Sequence, residues 1–443
     1  MNKSWIIILA FLLLMPAQSI HAQTVDDPNL IIEQFATGFS LSTSMSFVGS
    51  DILVLQKNDG KVRLIRDGFL ENNDVLDVPV SNNSERGLLG IENVGNIVYL
   101  YYTESSVDGG DPLGNRIYKY TWDGTNLINP ILMRDLPATP GPNHDGGALT
   151  VDLNDNVFAI IGDLNRNGVL QNFPTGSPDD TSIILQVDPP GDDIAMGIRN
   201  SFGLTVDSMT GNIWQTENGP TIYDEINLVS VPFNSGWEVI MGPAIQEQID
   251  SLPGFGDFVY SDPEFSWEDP VAVTSILFVD SVHFPSYSNN VLVGDCNNGK
   301  LYLFELNAQR NSFVFSDPDL IDLVLNIGDN PSEIEFGDGF GCITDIEIGP
   351  DGFLYIVSLF GTIYRILPDL GNGVCALPSG GDWIITSSCT LNSNFSAPDD
   401  VIIKNNSVLT VPAGIALDIN FVTNFLHIES GSGLLIKAGG YVS

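Results

Sequence analysis

Apolar positions in this chain come in short runs, each broken within a few residues by Gly, Asp or Asn. Helical spacing is nearly absent after the first two dozen residues, so the pattern predicts an all-β protein. One unit recurs: a short apolar strand, a turn, a strand closing on an aromatic or apolar pair, and another turn. It stands at residues 47–54 with Asp59-Gly60-Lys61-Val62, and again at 95–99 and 155–158. Later copies are at 211–214, at 290–293 with 299–302, and at 349–355 with 361–364. Six such units, spaced as blades with long inserted loops are, predict a six-bladed β-propeller over residues 30–368. Closing the ring leaves no long sheet edge open.

The texture changes after residue 368. Residues 369–382 are rich in Gly, contain Pro378, and read as a linker. Short apolar runs follow at 401–403, 408–411, 416–419 and 434–436, separated by turns such as Asn405-Asn406 and Gly431-Ser432-Gly433. They predict a small C-terminal β-solenoid or sandwich-like module over 383–443.

The start of the chain sets the expected compartment. Lys3 precedes an almost unbroken apolar run from Trp5 to Met15, and small residues lead to Ala22. This reads as a secretory signal peptide over residues 1–22, with a core too short to span a membrane. The mature chain is therefore expected to be secreted or extracytoplasmic, and soluble rather than membrane-spanning. Acidic residues outnumber basic ones by 56 to 16, which argues against nucleic acid as a partner. Four cysteines in an exported chain predict two disulfides. Cys375 and Cys389 are close in sequence and are expected to pair, which leaves Cys296 for Cys342.

Several ordered stretches carry candidate chemistry. Glu85-Arg86-Gly87-Leu88-Leu89-Gly90 precedes the second unit, and Asn143-His144-Asp145-Gly146-Gly147 opens the third, which ends in Gly162-Asp163-Leu164-Asn165. Arg199-Asn200-Ser201-Phe202-Gly203, Glu217-Asn218-Gly219-Pro220, Asp224-Glu225-Ile226-Asn227 and Gly236-Trp237 follow in order. Together they resemble the soluble sugar dehydrogenases that use pyrroloquinoline quinone (PQQ), the glucose/sorbosone dehydrogenase family. The resemblance spans the propeller and leaves out the tail.

The resemblance implies a six-bladed propeller that oxidises the anomeric carbon of an aldose to a lactone, passing a hydride to the quinone. His144 then matches the general base, a task suited to a side chain that titrates near neutrality. Taken alone, His144 would read as a turn histidine bonded to backbone. Asp163 matches its orienting carboxylate, and Arg199 with Asn200 matches the pair at the quinone carbonyls. Gly219 and Pro220 match positions whose carbonyls hold the cofactor's Ca²⁺, with Asp224 and Glu225 as its acidic support.

The chain departs from the family pattern in its last two units. An Arg-x-Arg-Asp run is expected before Gly349-Pro350-Asp351-Gly352, where the arginines clamp the quinone carboxylates. Here the run reads Cys342-Ile343-Thr344-Asp345, so both arginines are replaced. The lysine expected near Cys296-Asn297-Asn298 is also missing, and Lys300 lies a few residues on. On this resemblance Cys296 and Cys342 sit on neighbouring blades and would bond across the emptied floor of the cofactor cradle. Two functions follow as expectations: a PQQ- and Ca²⁺-dependent aldose dehydrogenase, or a non-catalytic extracellular propeller binding a glycan or a protein.

Overall fold

The computed structural model describes residues 22–169, 171–172, 179–254, 256–369 and 373–443. Apart from Ala22, the leader read over residues 1–22 lies outside them. The described chain is almost entirely β, with one short α-helix, Gln246–Ser251, and two single 3₁₀ turns. No helix among the described residues is long and apolar enough to cross a membrane.

Six sheets of four to six strands succeed one another along residues 24–368 in a β-propeller arrangement. Each has one strand at its inner edge: Ser42–Val48, Leu88–Val94, Leu149–Val151, Gly203–Val206, Val273–Phe278 and Ile343–Ile348. These edge strands lie side by side in that order, and the last lies against the first. Leu30–Thr37 pairs antiparallel with Thr362–Pro368, so an early strand completes the sheet built by the last three.

The apolar core is distributed between the sheets. Leu53 and Leu55 pack with Leu100 and Tyr102, and Tyr101 and Ile117 with Ala159 and Leu185. Ile160 packs with Leu204, Trp214 and Phe265 with Val291 and Phe304, and Leu292 with Ile346 and Ile356. Val357 and Ile363 then meet Met45 and Val54, joining the last sheet to the first. A middle strand such as Asp51–Gln56 is buried on both faces, which explains its unbroken Ile-Leu-Val-Leu run. Fully burying one such side chain contributes about 1.5–3 kcal/mol. Inner edge strands instead interleave apolar residues with polar ones such as Glu92, Thr344, Asp345 and Glu347.

Turns are set by sequence where the chain is tight. Asp51–Gln56 and Lys61–Arg66 form a hairpin with Ile52 opposite Ile65. Gly60, which leads into its second strand, has φ +64, and a Cβ there would stand 1.8 Å from the Val78 carbonyl oxygen. Only glycine satisfies both conditions.

Beyond the propeller, short strands pair in parallel. Trp383–Ile385, Val401–Ile403 and Leu426–Ile428 form one sheet, and Cys389–Thr390, Val408–Val411 and Gly433–Ile436 a second. Phe395–Ser396, Ala416–Asp418 and Tyr441–Val442 form a third. Trp383, Val401, Leu409 and Leu417 share one buried cluster. Disulfides join Cys375 to Cys389 and Cys296 to Cys342, with no free cysteine among the described residues.

Candidate functional site: a histidine–aspartate pair and a carboxylate-lined cavity

His144 lies in the loop that leads into Leu149–Val151, and this loop is pinned from the preceding sheet. Tyr101 donates its hydroxyl to the Asp145 carbonyl at 2.8 Å, and Asn115 donates to the Asp145 carboxylate at 3.0 Å. The His144 backbone N–H donates to Glu85 at 2.6 Å. The side chain is then fixed by its own bond: Nδ1 lies 2.5 Å from Asp163 Oδ1. Asp163, 1% exposed, also accepts from the Asn165 amide at 2.9 Å, Trp237 Nε1 at 2.7 Å and the Gly168 amide at 3.3 Å. Burial alone would raise the Asp163 carboxyl. The hydrogen bonds from His144, Trp237 and Gly168, with the imidazole's charge, outweigh burial and hold it below the usual range.

Arg199 and Asn200 adjoin this dyad. The Arg199 carbonyl accepts from the Asp163 amide at 2.9 Å, and its guanidinium stacks over Trp237 at 5.3 Å. The guanidinium donates to the Asn218 carbonyl at 2.6 Å, while its Nε has no protein partner. Burial lowers the Arg199 pKa against the pull of Asp163 and Glu217. Asn200 donates to Glu85 at 3.2 Å, and its buried Oδ1 is unpartnered. Glu85 thus bonds both the His144 backbone and the Asn200 side chain. His144, Asp163, Arg199 and Asn200, expected together from sequence, do converge.

Of the residues expected around Ca²⁺, Asp224 and Glu225 accept hydrogen bonds from the chain itself. Asp224 accepts the Gly219 amide at 2.9 Å on one oxygen and the Ala272 amide at 2.6 Å on the other. That folds the loop so tightly that a Cβ on Gly219 would meet the Tyr223 carbonyl oxygen at 1.9 Å. Glu225 lies inside the sheet directly opposite Glu217, and both are buried. Burial, then the facing Glu217, pushes Glu225 up to about 8. Asp224 and Glu225 serve the chain's own donors, and no step is assigned to a metal.

A cavity of about 460 Å³ runs along the inner edge strands of all six sheets. Glu85 and Asn218 line it, although His144 and Arg199 do not. Among the described residues Lys57 is the only cation on its wall; it donates to the Ser84 carbonyl at 2.6 Å. Four carboxylates line the same wall: Glu85, Glu92, Asp345 and Glu347. The Cys296–Cys342 disulfide forms part of it. Thr344 turns its hydroxyl to the Ser42 carbonyl at 3.0 Å, and Lys300 is held by Glu335. A tricarboxylate quinone therefore finds acceptor-side residues in Arg199 and Asn200 but no cationic clamp for its carboxylates. The residues present do not fit PQQ.

Trp237, Glu85 and Glu217 stand inside the sequence motifs with no expected role, and Glu92, Asp345 and Glu347 carry none either. The signal for two of these was present: Asp345 and Glu347 are two apart in one strand, which places them on one face.

A glucose/sorbosone dehydrogenase profile matches residues 39–365. The aldose sugar dehydrogenase YliI of Escherichia coli is 25% identical over 281 residues, covering 59% of this chain and 70% of that protein. A putative oxidoreductase (glucose dehydrogenase) of Thermus thermophilus superposes with a TM-score of 0.61 at 21% identity, over 76% of this chain and 100% of that one. The PQQ-bound aldose sugar dehydrogenase of Streptomyces coelicolor does so with a TM-score of 0.58 at 20% identity, over 78% and 98%. These solved structures share the fold. With the profile covering most of the chain, the protein belongs to the glucose/sorbosone dehydrogenase family.

Proposed function

We propose that this protein is an exported six-bladed propeller that oxidises an aldose at its anomeric carbon. Six sheets joined by six inter-sheet clusters support the blade count. The leader pattern supports export, and the parallel coils of residues 383–442 support reading the tail as a solenoid module.

The observation that carries the activity is the His144–Asp163 dyad. With Nδ1 committed to Asp163, the Nε2 of His144 is the atom left to take the proton of the anomeric hydroxyl as hydride leaves C1. Asp163 fixes the tautomer and offsets the imidazolium charge that forms, as the orienting carboxylate does in other triads. Arg199 is a cation beside the dyad, within electrostatic reach of Asp163 and available to charge developing on a hydride acceptor. Aldose-dependent lactone formation by the purified protein, tried with a panel of quinone acceptors, is the test. No lactone with any sugar and any acceptor would remove the reading, and His144→Ala should abolish the activity. The missing clamp favours one other reading, a propeller that binds sugar without turnover; it predicts saturable sugar binding and no lactone.

A further inference from the structure

We propose that Trp237 is the positioning residue of this site: its indole holds Asp163 and Arg199 apart, so that the carboxylate serves His144 and the guanidinium stays open to a ligand. The consequence for turnover rests on the aldose-oxidising reading above; the separation of the two charges does not.

The first ground is the count of acceptor sites on Asp163. An ionised carboxylate offers about four lone-pair positions. His144 and the Asn165 amide occupy Oδ1, while Trp237 Nε1 at 2.7 Å and the Gly168 amide at 3.3 Å occupy Oδ2. That leaves no position for Arg199, although its guanidinium lies over the Trp237 ring, 5.3 Å from the centroid. Asp163, Glu217, Glu85 and Asp224 all attract Arg199. The guanidinium nevertheless donates to an uncharged acceptor, the Asn218 carbonyl, and its buried Nε has no partner.

A guanidinium and a carboxylate attract more strongly in a buried setting than at the surface, and a direct pair is what they form when nothing stands between them. Here the indole stands between them. Its N–H fills a site on Oδ2, and its face gives the guanidinium a cation–π contact in exchange.

The second ground is how firmly the ring is set. Trp237 is buried, and its amide donates to the Gly197 carbonyl at 3.0 Å, in the segment that leads into Arg199. Ser235 donates its hydroxyl to Glu217 at 2.5 Å, and Glu217 also accepts the Arg199 amide at 2.6 Å. The Gly236 amide donates to Asn234 at 2.9 Å, and Asn234 exchanges side-chain bonds with Asn172 at 2.6 and 2.8 Å. On the other side, a Cβ on Gly168 would stand 2.6 Å from the Glu238 amide nitrogen. The turn after Asp163 therefore packs directly on the backbone that follows Trp237. The indole is anchored to both loops whose charges it separates, to that of Arg199 through Gly197 and Glu217 and to that of Asp163 through Gly168.

The experiment uses the purified protein and two replacements. Trp237→Phe removes the N–H and part of the ring. Benzothienylalanine at position 237 keeps the bicyclic shape and puts sulfur in place of N–H, so it carries the test if the smaller ring impairs folding. Crystal structures of the native protein and both variants read the separation. The expected result is an Arg199 that leaves the Asn218 carbonyl and pairs with Asp163 Oδ2, with N–O within about 4 Å. With an aldose and a panel of quinone acceptors, kcat should fall about tenfold or more while the KM for the aldose changes less than about twofold. That split is expected of a loss felt in the transition state rather than in sugar binding. A guanidinium that stays on Asn218 in both variants would overturn the proposal, and so would an unchanged kcat beside a native protein that turns over. A native protein that makes no lactone would end the aldose reading, and the crystal structures would then decide the separation by themselves.

Discussion

Replacing Asp163 with Asn changes one atom at the point where the dyad is held. In the native protein the buried carboxylate takes four donors, His144 and the Asn165 amide on one oxygen, Trp237 and the Gly168 amide on the other. An asparagine keeps one acceptor oxygen and puts an N–H₂ where the second stood. Turned toward Trp237 and Gly168, the N–H₂ faces two donors; turned toward His144, it faces the Asn165 amide alone, because Nδ1 can accept in the other tautomer. An orphaned donor costs about 1–3 kcal/mol, so Asp163→Asn should destabilise the protein by at least about 1–3 kcal/mol near neutral pH. Urea denaturation followed by tryptophan fluorescence measures this.

The pH dependence gives the same substitution a second signature. A carboxyl held low in the folded state adds stability above the ordinary Asp pKa of about 3.9 and loses it as pH falls through the lower folded value. Asn does not titrate. The gap between native and variant should therefore be full at neutral pH and shrink in acid. Equal stability at neutral pH, or a gap that stays constant down to about pH 3, would refute the account of Asp163 as an ionised hub.

Three further outcomes are expected. Glu225, pushed up to about 8 by burial and by Glu217, binds its proton more tightly folded than unfolded, so stability should fall as pH rises from about 5 toward 9. Glu225→Gln should flatten that slope in thermal melts, and an unchanged slope would count against the buried pair. Cys296→Ser with Cys342→Ser opens a loop spanning 46 residues. The chain-entropy model puts the loss at about 4 kcal/mol, and denaturant midpoints equal to native would refute it. Gly60→Ala puts a Cβ 1.8 Å from the Val78 carbonyl oxygen at a left-handed φ, and should cut the yield of folded protein or lower its Tm by several degrees.

The parts of the fold legible in the sequence were those repeated by physics at every sheet. Middle strands buried on both faces read as apolar runs, as in Asp51–Gln56 and Leu354–Ser358, and tight hairpins need glycines such as Gly60 and Gly361. The His144–Asp163 pair was legible only through ordered motifs, because the two residues meet across a loop and a turn that no local periodicity connects. The channel acids were illegible for a different reason. Glu92 comes from one sheet and Asp345 with Glu347 from another, so their shared cavity exists only once the ring is closed. Asp224 and Glu225 were readable as an acidic pair, but their work on the Gly219, Ala272 and Gly242 amides is a property of folded loops.

The two halves of the mouth differ in how the fold depends on them. Asp163 is bound to two backbone amides, and Arg199 is anchored through its own amide to Glu217 and through its guanidinium to the Asn218 carbonyl. Losing the Asp163 carboxylate orphans buried backbone donors in the loop that shapes the third sheet, at about 1–3 kcal/mol each, and losing the Arg199 guanidinium leaves the Asn218 carbonyl without that donor. Clamp side chains reaching toward a ligand's carboxylates would have no such duty to the chain. Positions 342 and 344 now hold a cysteine bonded to the neighbouring sheet and a threonine bonded to Ser42 and Val357, substitutions that tie sheets together. Both halves of the mouth therefore bear on folding, Asp163 through the backbone amides of its own loop and positions 342 and 344 by joining neighbouring sheets.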